Sequence, residues 1–471
     1  MKYTILFLLI TISNFRLFSQ PKQFPKLSPA KVAKPPLPML TDIGGKISGL
    51  AKNYIYLSSI TGNELTFIDS IKVGMDGSFS YKRLNALRQG QYRLFLDGEN
   101  YLDLLFTNEK IKFNTSMNDM VGAMNVSSSR ENQCYYYYLK KMRDVEGRLA
   151  EVYENHPEDT ALLSAITDSV IKAKNFYSKQ IISEYPGTLA SRIINAYMIP
   201  VRDFFPLLEV IKYPDRMSFL AAHFFDNINF ADTNLVRTDV FYTALQYYMD
   251  NLVMPKDEEH FITSADMVMA KAKNGKVYEH VLKVMMDGFE QSRQELAFAY
   301  LSEKYYLSET CDKPSDNRAK TVKEKVAMLR MTSLGAKAPA LSLPDPLGNT
   351  INLLDQHEKF TLIVFWTSRC HHCESLIPQL IPVYNKYHRA GFQVYGVSID
   401  SSVADWKRVS TISRMPWLNV NASGGMAEKQ LQPYNLHGTP KMLVMRQDGI
   451  IVFNPRTFKE LASFLETKFG H

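Results

Sequence analysis

The feature that most limits what this chain can fold into is an apolar run, Phe360 to Trp366, followed four residues later by Cys370-His371-His372-Cys373. A run of that length without polar alternation suits a strand covered on both faces, as in a parallel or mixed sheet. Beyond the cysteines, Leu376, Ile377, Leu380, Val383, Tyr384 and Tyr387 recur at helical spacing, so Cys370 is expected at a helix N-terminus. Unpaired N–H groups and the helix macrodipole favour an anion there, which should hold the Cys370 thiol below the free value of about 8.5. Arg369, His371 and His372 are expected to act in the same direction, while Cys373, one turn further in, should be more buried and serve as resolving thiol. Downstream, a strand-like stretch from Gly391 to Ser398 precedes Gly438-Thr439-Pro440, after which Lys441 to Met445 reads as another strand. A proline opening a strand is a candidate for a cis bond.

Leu334-Gly335-Ala336-Lys337-Ala338-Pro339, Asp345-Pro346-Leu347-Gly348, Phe365 through Cys373 and Gly438-Thr439-Pro440 together resemble the TlpA-like branch of the thioredoxin superfamily, over about residues 334 to 471. The resemblance implies an α/β thioredoxin fold and a redox-active disulfide between Cys370 and Cys373. It also implies a cis-proline at Pro440 facing that pair, with the Thr439 backbone binding the substrate chain. The sequence departs from the family in three places. Arg369 stands where Trp is common, Val364 where thioredoxins carry a buried Asp, and Leu376 where some relatives carry Glu. The usual proton-transfer carboxylates are therefore missing, leaving a histidine or water as substitute. His371-His372 resembles the oxidising members, yet the branch is mostly reductive, so a reductase is favoured over an oxidase.

The rest of the chain reads as further domains, in keeping with 471 residues exceeding one hydrophobic core. Lys2 and the apolar run Tyr3 to Ile12, ending near Ser19, have the parts of a secretory signal peptide (residues 1–19), with a retained anchor as the weaker alternative. The chain is thus expected to be periplasmic or otherwise exported. A Pro- and Lys-rich tether follows over 20–39. Period-two runs separated by turns predict an antiparallel β-sandwich over 40–125, and helical periodicity covers 126–310, with one helix of about 25 residues opened by Asp159-Thr160. Polar residues make 311–333 a linker into the last domain at 334–471. The first two folded regions resemble, less specifically, the β-rich domain of unknown function and the helical segment often found before such thioredoxin domains.

Tyr135 to Tyr138, Phe224-Phe225 and Met267, Met269, Met285 and Met286 sit at spacings that read as core, and His223, His260 and His280 lack a metal-ligand partner at useful spacing. A formal charge of +7, or +5 without Lys2 and Arg16, is spread thinly, which argues against nucleic acid as a partner. The expected partners are protein disulfide or dithiol clients and an electron donor or acceptor, for which a membrane protein is one option. No cofactor is implied. Two other readings remain: a metal-delivery module built on the Cys-His-His-Cys cluster, and a redox-inert scaffold. A peroxidase ranks below both. Cys134 and Cys311 either pair or stay free, with the unpaired state favoured, and His437 is a candidate for substrate contact beside Gly438.

Overall fold

The computed structural model describes residues 41–84, 86–156, 158–273, 275–308 and 317–470. The expected signal peptide, the Pro- and Lys-rich tether and Cys311 lie outside the described residues. The chain divides into two compact units that meet in sequence between Gln291 and Ser292.

The first unit opens with eight strands: β1 (Thr41–Ser48), β2 (Tyr54–Thr61), β3 (Glu64–Lys72), β4 (Ser78–Arg83), β5 (Gly90–Phe95), β6 (Tyr101–Phe106), β7 (Ile111–Ser116) and β8 (Asn125–Ser128). They form two four-stranded sheets, β4-β1-β7-β8 and β3-β2-β5-β6. Alternation does what the period-two pattern required: Ile55 and Leu57 are buried while Tyr54 and Tyr56, which alternate with them, are exposed. The two-residue turn Gly62-Asn63 joins β2 to β3, with Gly62 at φ +62°, a conformation that glycine adopts without steric cost. One pairing corrects the antiparallel expectation. β1 and β7 run parallel, from Ile43 opposite Ile111 to Ser48 opposite Ser116. Alternation fixes which residues face inward, but it carries no information on the direction of a partner 68 residues away.

The helical part of this unit begins with Arg130–Asn155, capped by the Ser129 side chain, and Thr160–Glu184, capped by Asp159 accepting from the Leu162 N–H. The second of these has 25 residues, the length the periodicity predicted. Between the pair lies a buried ion pair, Lys174 Nζ to Glu146 Oε1 at 2.5 Å. Asn132 ties this region to the sheet, since its side chain accepts from Leu105 N (2.9 Å) and donates to Leu105 O (2.7 Å), as a neighbouring strand would. Tyr135, Tyr136, Tyr138, Phe224, Phe225, Met269, Met285 and Met286 are core residues, as their spacing indicated, whereas Tyr137 and Met267 are only partly buried.

In the second unit, β9 (Ser342–Pro344) and β10 (Thr350–Asn352) form a hairpin beside a five-stranded sheet. That sheet contains β11 (Phe360–Trp366), β12 (Phe392–Ser398), β13 (Leu418–Asn421), β14 (Lys441–Arg446) and β15 (Ile451–Phe453) in the order β13-β12-β11-β14-β15. Central β11 is parallel to β12 and antiparallel to β14. Its residues feed two cores in alternation. Leu362, Val364 and Trp366 join one with Cys373, Leu376 and Leu380, while Ile363 and Phe365 join the other with Tyr395, Tyr434 and Leu443. This double burial is why the run has no polar alternation.

Of the expected linker at 311–333, residues 311–316 lie outside the described residues, and the remainder needs correcting. Residues Asn317–Met331 form a helix that buries Val322, Val326 and Leu329, and the preceding helix Glu295–Leu301 buries Ala297, Phe298 and Leu301. Charged residues interleave with apolar ones in 317–331 and obscure the apolar stripe, yet three buried side chains at helical spacing suffice to dock it.

Candidate active site

Cys370 is the N-cap of the helix His371–Tyr387, in extended backbone conformation (φ −96°, ψ 110°), and its sulfur accepts from the Cys373 N–H at 3.2 Å. The same Sγ lies 3.2 Å from the carbonyl oxygen of Thr439, which is joined to Pro440 by a cis peptide bond. The Gly438-Thr439-Pro440 loop therefore faces the cysteine pair, 69 residues away in sequence. Both cysteines are free thiols here, Cys370 half-buried and Cys373 only 1% exposed.

The two thiols have opposite electrostatics. Burial pushes Cys370 up, but hydrogen bonds from the Cys373 thiol, the Thr439 side chain and the Cys373 and His372 N–H groups together bring it below its ordinary value. Burial pushes Cys373 up to about 12, and its own bond to the Cys370 sulfur adds to the rise. Val364 and Leu376 both belong to the apolar core around Cys373. The largest lowering contributions at Cys370 are thus hydrogen bonds rather than the flanking cations. Arg369 is 84% exposed and sits 3.7 Å from Asp405 Oδ2, and His371 is 88% exposed, 3.6 Å from Glu374 Oε2. His372 is also exposed, its ring centroid 6.2 Å from that of His371. Among the described residues no group of three or more His, Cys, Asp or Glu is placed to hold a metal ion.

Sequence reasoning missed Asp400. This residue, 6% exposed, accepts from the Thr367 hydroxyl (2.6 Å), the Ser368 hydroxyl (2.8 Å) and N–H (3.0 Å), and the Ser398 hydroxyl (2.9 Å). Its own carbonyl accepts from the Asn421 amide (3.1 Å). The loop leading to Cys370 is thereby fixed from the neighbouring strand, because the parallel register sets Trp366 beside Ser398. Its signal was positional: a carboxylate two residues past the carboxyl end of a strand adjoining β11, where open α/β sheets gather functional groups. Thr367, three residues before Cys370, gives its hydroxyl to Asp400 and not to the cysteine sulfur. His437 is exposed at the start of the cis-proline loop.

Comparison with known proteins adds the following. Residues 334–453 match the AhpC/TSA family, residues 41–135 a domain of unknown function (DUF4369), and residues 206–290 another (DUF5106). A thiol:disulfide interchange protein from Bacteroides sp. is 30% identical over 30% of this chain and 95% of its own, with a TM-score of 0.28. The thioredoxin domain of a thiol-disulfide oxidoreductase from Bacteroides vulgatus is 29% identical over 29% of this chain and 97% of its own, with a TM-score of 0.28. A thioredoxin-like protein from Bacteroides caccae is 17% identical over 57% of this chain and 97% of its own, with a TM-score of 0.45. No curated protein matches the chain.

Proposed function

We propose that this chain, whose C-terminal domain belongs to the thioredoxin-like thiol-disulfide oxidoreductases, is an exported reductase of protein disulfides in which Cys370 attacks and Cys373 resolves. The observation that carries the reading is the unequal pair itself. One thiol is half-exposed and held below its ordinary pKa, and three residues on the other is buried and raised to about 12. The thiolate is the nucleophile, so the lowered thiol is the better placed of the two to attack, while the second stays protonated until it is needed.

In the reductive direction the Cys370 thiolate attacks one sulfur of a client disulfide. A mixed S–S bond forms as the client S–S bond breaks, and the departing thiolate takes up a proton. Cys373 then gives up its proton and attacks the Cys370 sulfur, releasing the second client thiol and leaving a Cys370–Cys373 disulfide. The client gains two electrons and two protons, and an external dithiol must return both to the pair. With Val364 and Leu376 apolar, the proton of Cys373 has no carboxylate acceptor at those positions, which leaves the departing client thiolate or water to take it. The N-terminal run from Lys2 to Ile12 supports export, and N-terminal sequencing of protein recovered from the extracytoplasmic fraction tests it.

The deciding measurement is the reduction potential of Cys370/Cys373 in a glutathione redox series, with Cys370→Ser as control. A value near the thioredoxin potential of about −270 mV is expected, and a value near about −120 mV would reverse the direction. Absence of any two-electron titration would remove the enzymatic reading and leave the scaffold.

A further inference from the structure

The loop facing Cys370 is flanked by a segment that precedes the matched family region. Arg293 lies 41 residues before residue 334, where that match begins, yet its Nη2 stands 3.5 Å from the His437 carbonyl oxygen. The guanidinium lies over Gly438, where an added Cβ would come within 3.1 Å of Nη2, so the absence of a side chain there leaves the room it occupies. On the other side of Thr439-Pro440, Glu295 pairs with Lys441 at 3.5 Å. These two contacts bracket the residue whose carbonyl oxygen is 3.2 Å from the Cys370 sulfur.

Arg293 has two unusual properties. Its φ is +56°, a region that non-glycine residues seldom adopt and that an unconstrained loop would avoid. Its side chain is exposed and, among the described residues, forms no ion pair with a carboxylate. Anchoring the segment does not require this charge, because Glu295 and Lys441 already provide an ionic tie. The nearby acids are otherwise engaged: Asp405 with Arg369 and Arg408, Glu374 with His371. Those pairs also occupy Arg369 and His371, so on this rim Arg293 is the cation that forms no ion pair among the described residues.

We infer that Arg293, held against His437-Gly438 beside Cys370, is a specificity residue that favours polypeptide clients carrying a carboxylate next to the reacting cysteine. The inference rests on the reading of this chain as a protein disulfide oxidoreductase. An exposed ion pair at this position is modest, and reversing the charge turns the attraction into repulsion, so the expected discrimination is about three- to tenfold.

The test is single-turnover reduction by the full-length reduced protein of two fluorogenic peptide disulfides, identical except for Asp or Lys beside the cysteine. Wild type is expected to favour the Asp peptide, with a preference that shrinks at high salt. Arg293→Glu should lower the Asp-to-Lys ratio by about three- to tenfold, through the half-saturating concentration more than the maximal rate. Arg293→Lys should retain the preference. An unchanged ratio in Arg293→Glu, or equal loss on both peptides through the maximal rate, as a purely structural tie would give, overturns the inference. Failure of the wild-type protein to reduce either peptide removes the underlying functional reading as well, and is told apart by its independence of the Arg293 substitutions.

Discussion

Each unit of this protein keeps a buried carboxylate near a cysteine, and the two carboxylates do similar work to different ends. In the first unit Glu131 accepts from the Leu189 and Ala190 N–H groups at 3.0 and 2.8 Å, fixing the start of the helix Leu189–Ala196. In the second, Asp400 accepts from the Ser368 N–H and three hydroxyls, fixing the loop that presents Cys370. The neighbouring thiols diverge. Cys134 is fully buried, and burial pushes it up to about 12 despite a bond from Thr188. Cys373 is raised to about the same value, so burial alone cannot be what makes a reactive centre. What distinguishes the second unit is one partly exposed sulfur, Cys370, given enough hydrogen-bond donors to offset its own desolvation.

The strongest way to break this comparison is alkylation. With the native reduced protein and limiting iodoacetamide near neutral pH, Cys370 should be modified at least about a hundred times faster than Cys134 or Cys373, which must await opening of the fold. Its rate should rise at lower pH than that of an unperturbed cysteine, because a lowered pKa populates the thiolate at lower pH. Peptide mass mapping reads the sites, and equal labelling of Cys134 would sink the contrast.

Substituting the carboxylates sharpens it. Glu131→Ala and Asp400→Ala should each cost about 1–3 kcal/mol of stability, since each leaves buried donors unsatisfied. Only Asp400→Ala should also slow disulfide exchange, by about tenfold or more, because displacing a reactive group by a fraction of an ångström is enough. Denaturant melts and single-turnover rates on the same two variants separate the effects, and an equal slowing in Glu131→Ala would show that the site depends on both units.

The last test concerns His280, buried in the first unit and brought by burial from the ordinary value to about 4. The folded state disfavours its protonation, so between the unfolded value of about 6.5 and the folded value the unfolded chain binds more protons. Stability from the neutral ring is full above about pH 6.5 and is lost as pH falls to 4 and below, by about 3 kcal/mol at most. Melts at pH 7.5 and 5 should show this loss in wild type and a smaller one in His280→Gln. Cys370 alkylation, compared at one pH, should match between the two.

Much of the candidate cysteine pair was legible in sequence because the signals are local. The apolar run Phe360–Trp366, the helical spacing after Cys370 and the Thr439-Pro440 step each act through neighbours within a turn or a strand, and each lies where its pattern indicated. The cysteine asymmetry follows from the same facts: the first is at a helix start, the second one turn inside against β11. Even the missing carboxylates carried meaning, since Val364 and Leu376 are what make the surroundings of Cys373 apolar.

Tertiary structure alone decided the rest. Asp400 reaches Ser368 across 32 residues, and Arg293 reaches His437 across 144. Neither contact leaves a periodic trace, because each depends on strand register and on which segment docks beside which loop. The parallel pairing of β1 with β7 and the docking of Asn317–Met331 were hidden for the same reason. Side-chain period reports the face a residue turns inward, while direction and partner are chosen only when the chain closes over distances that no local pattern spans.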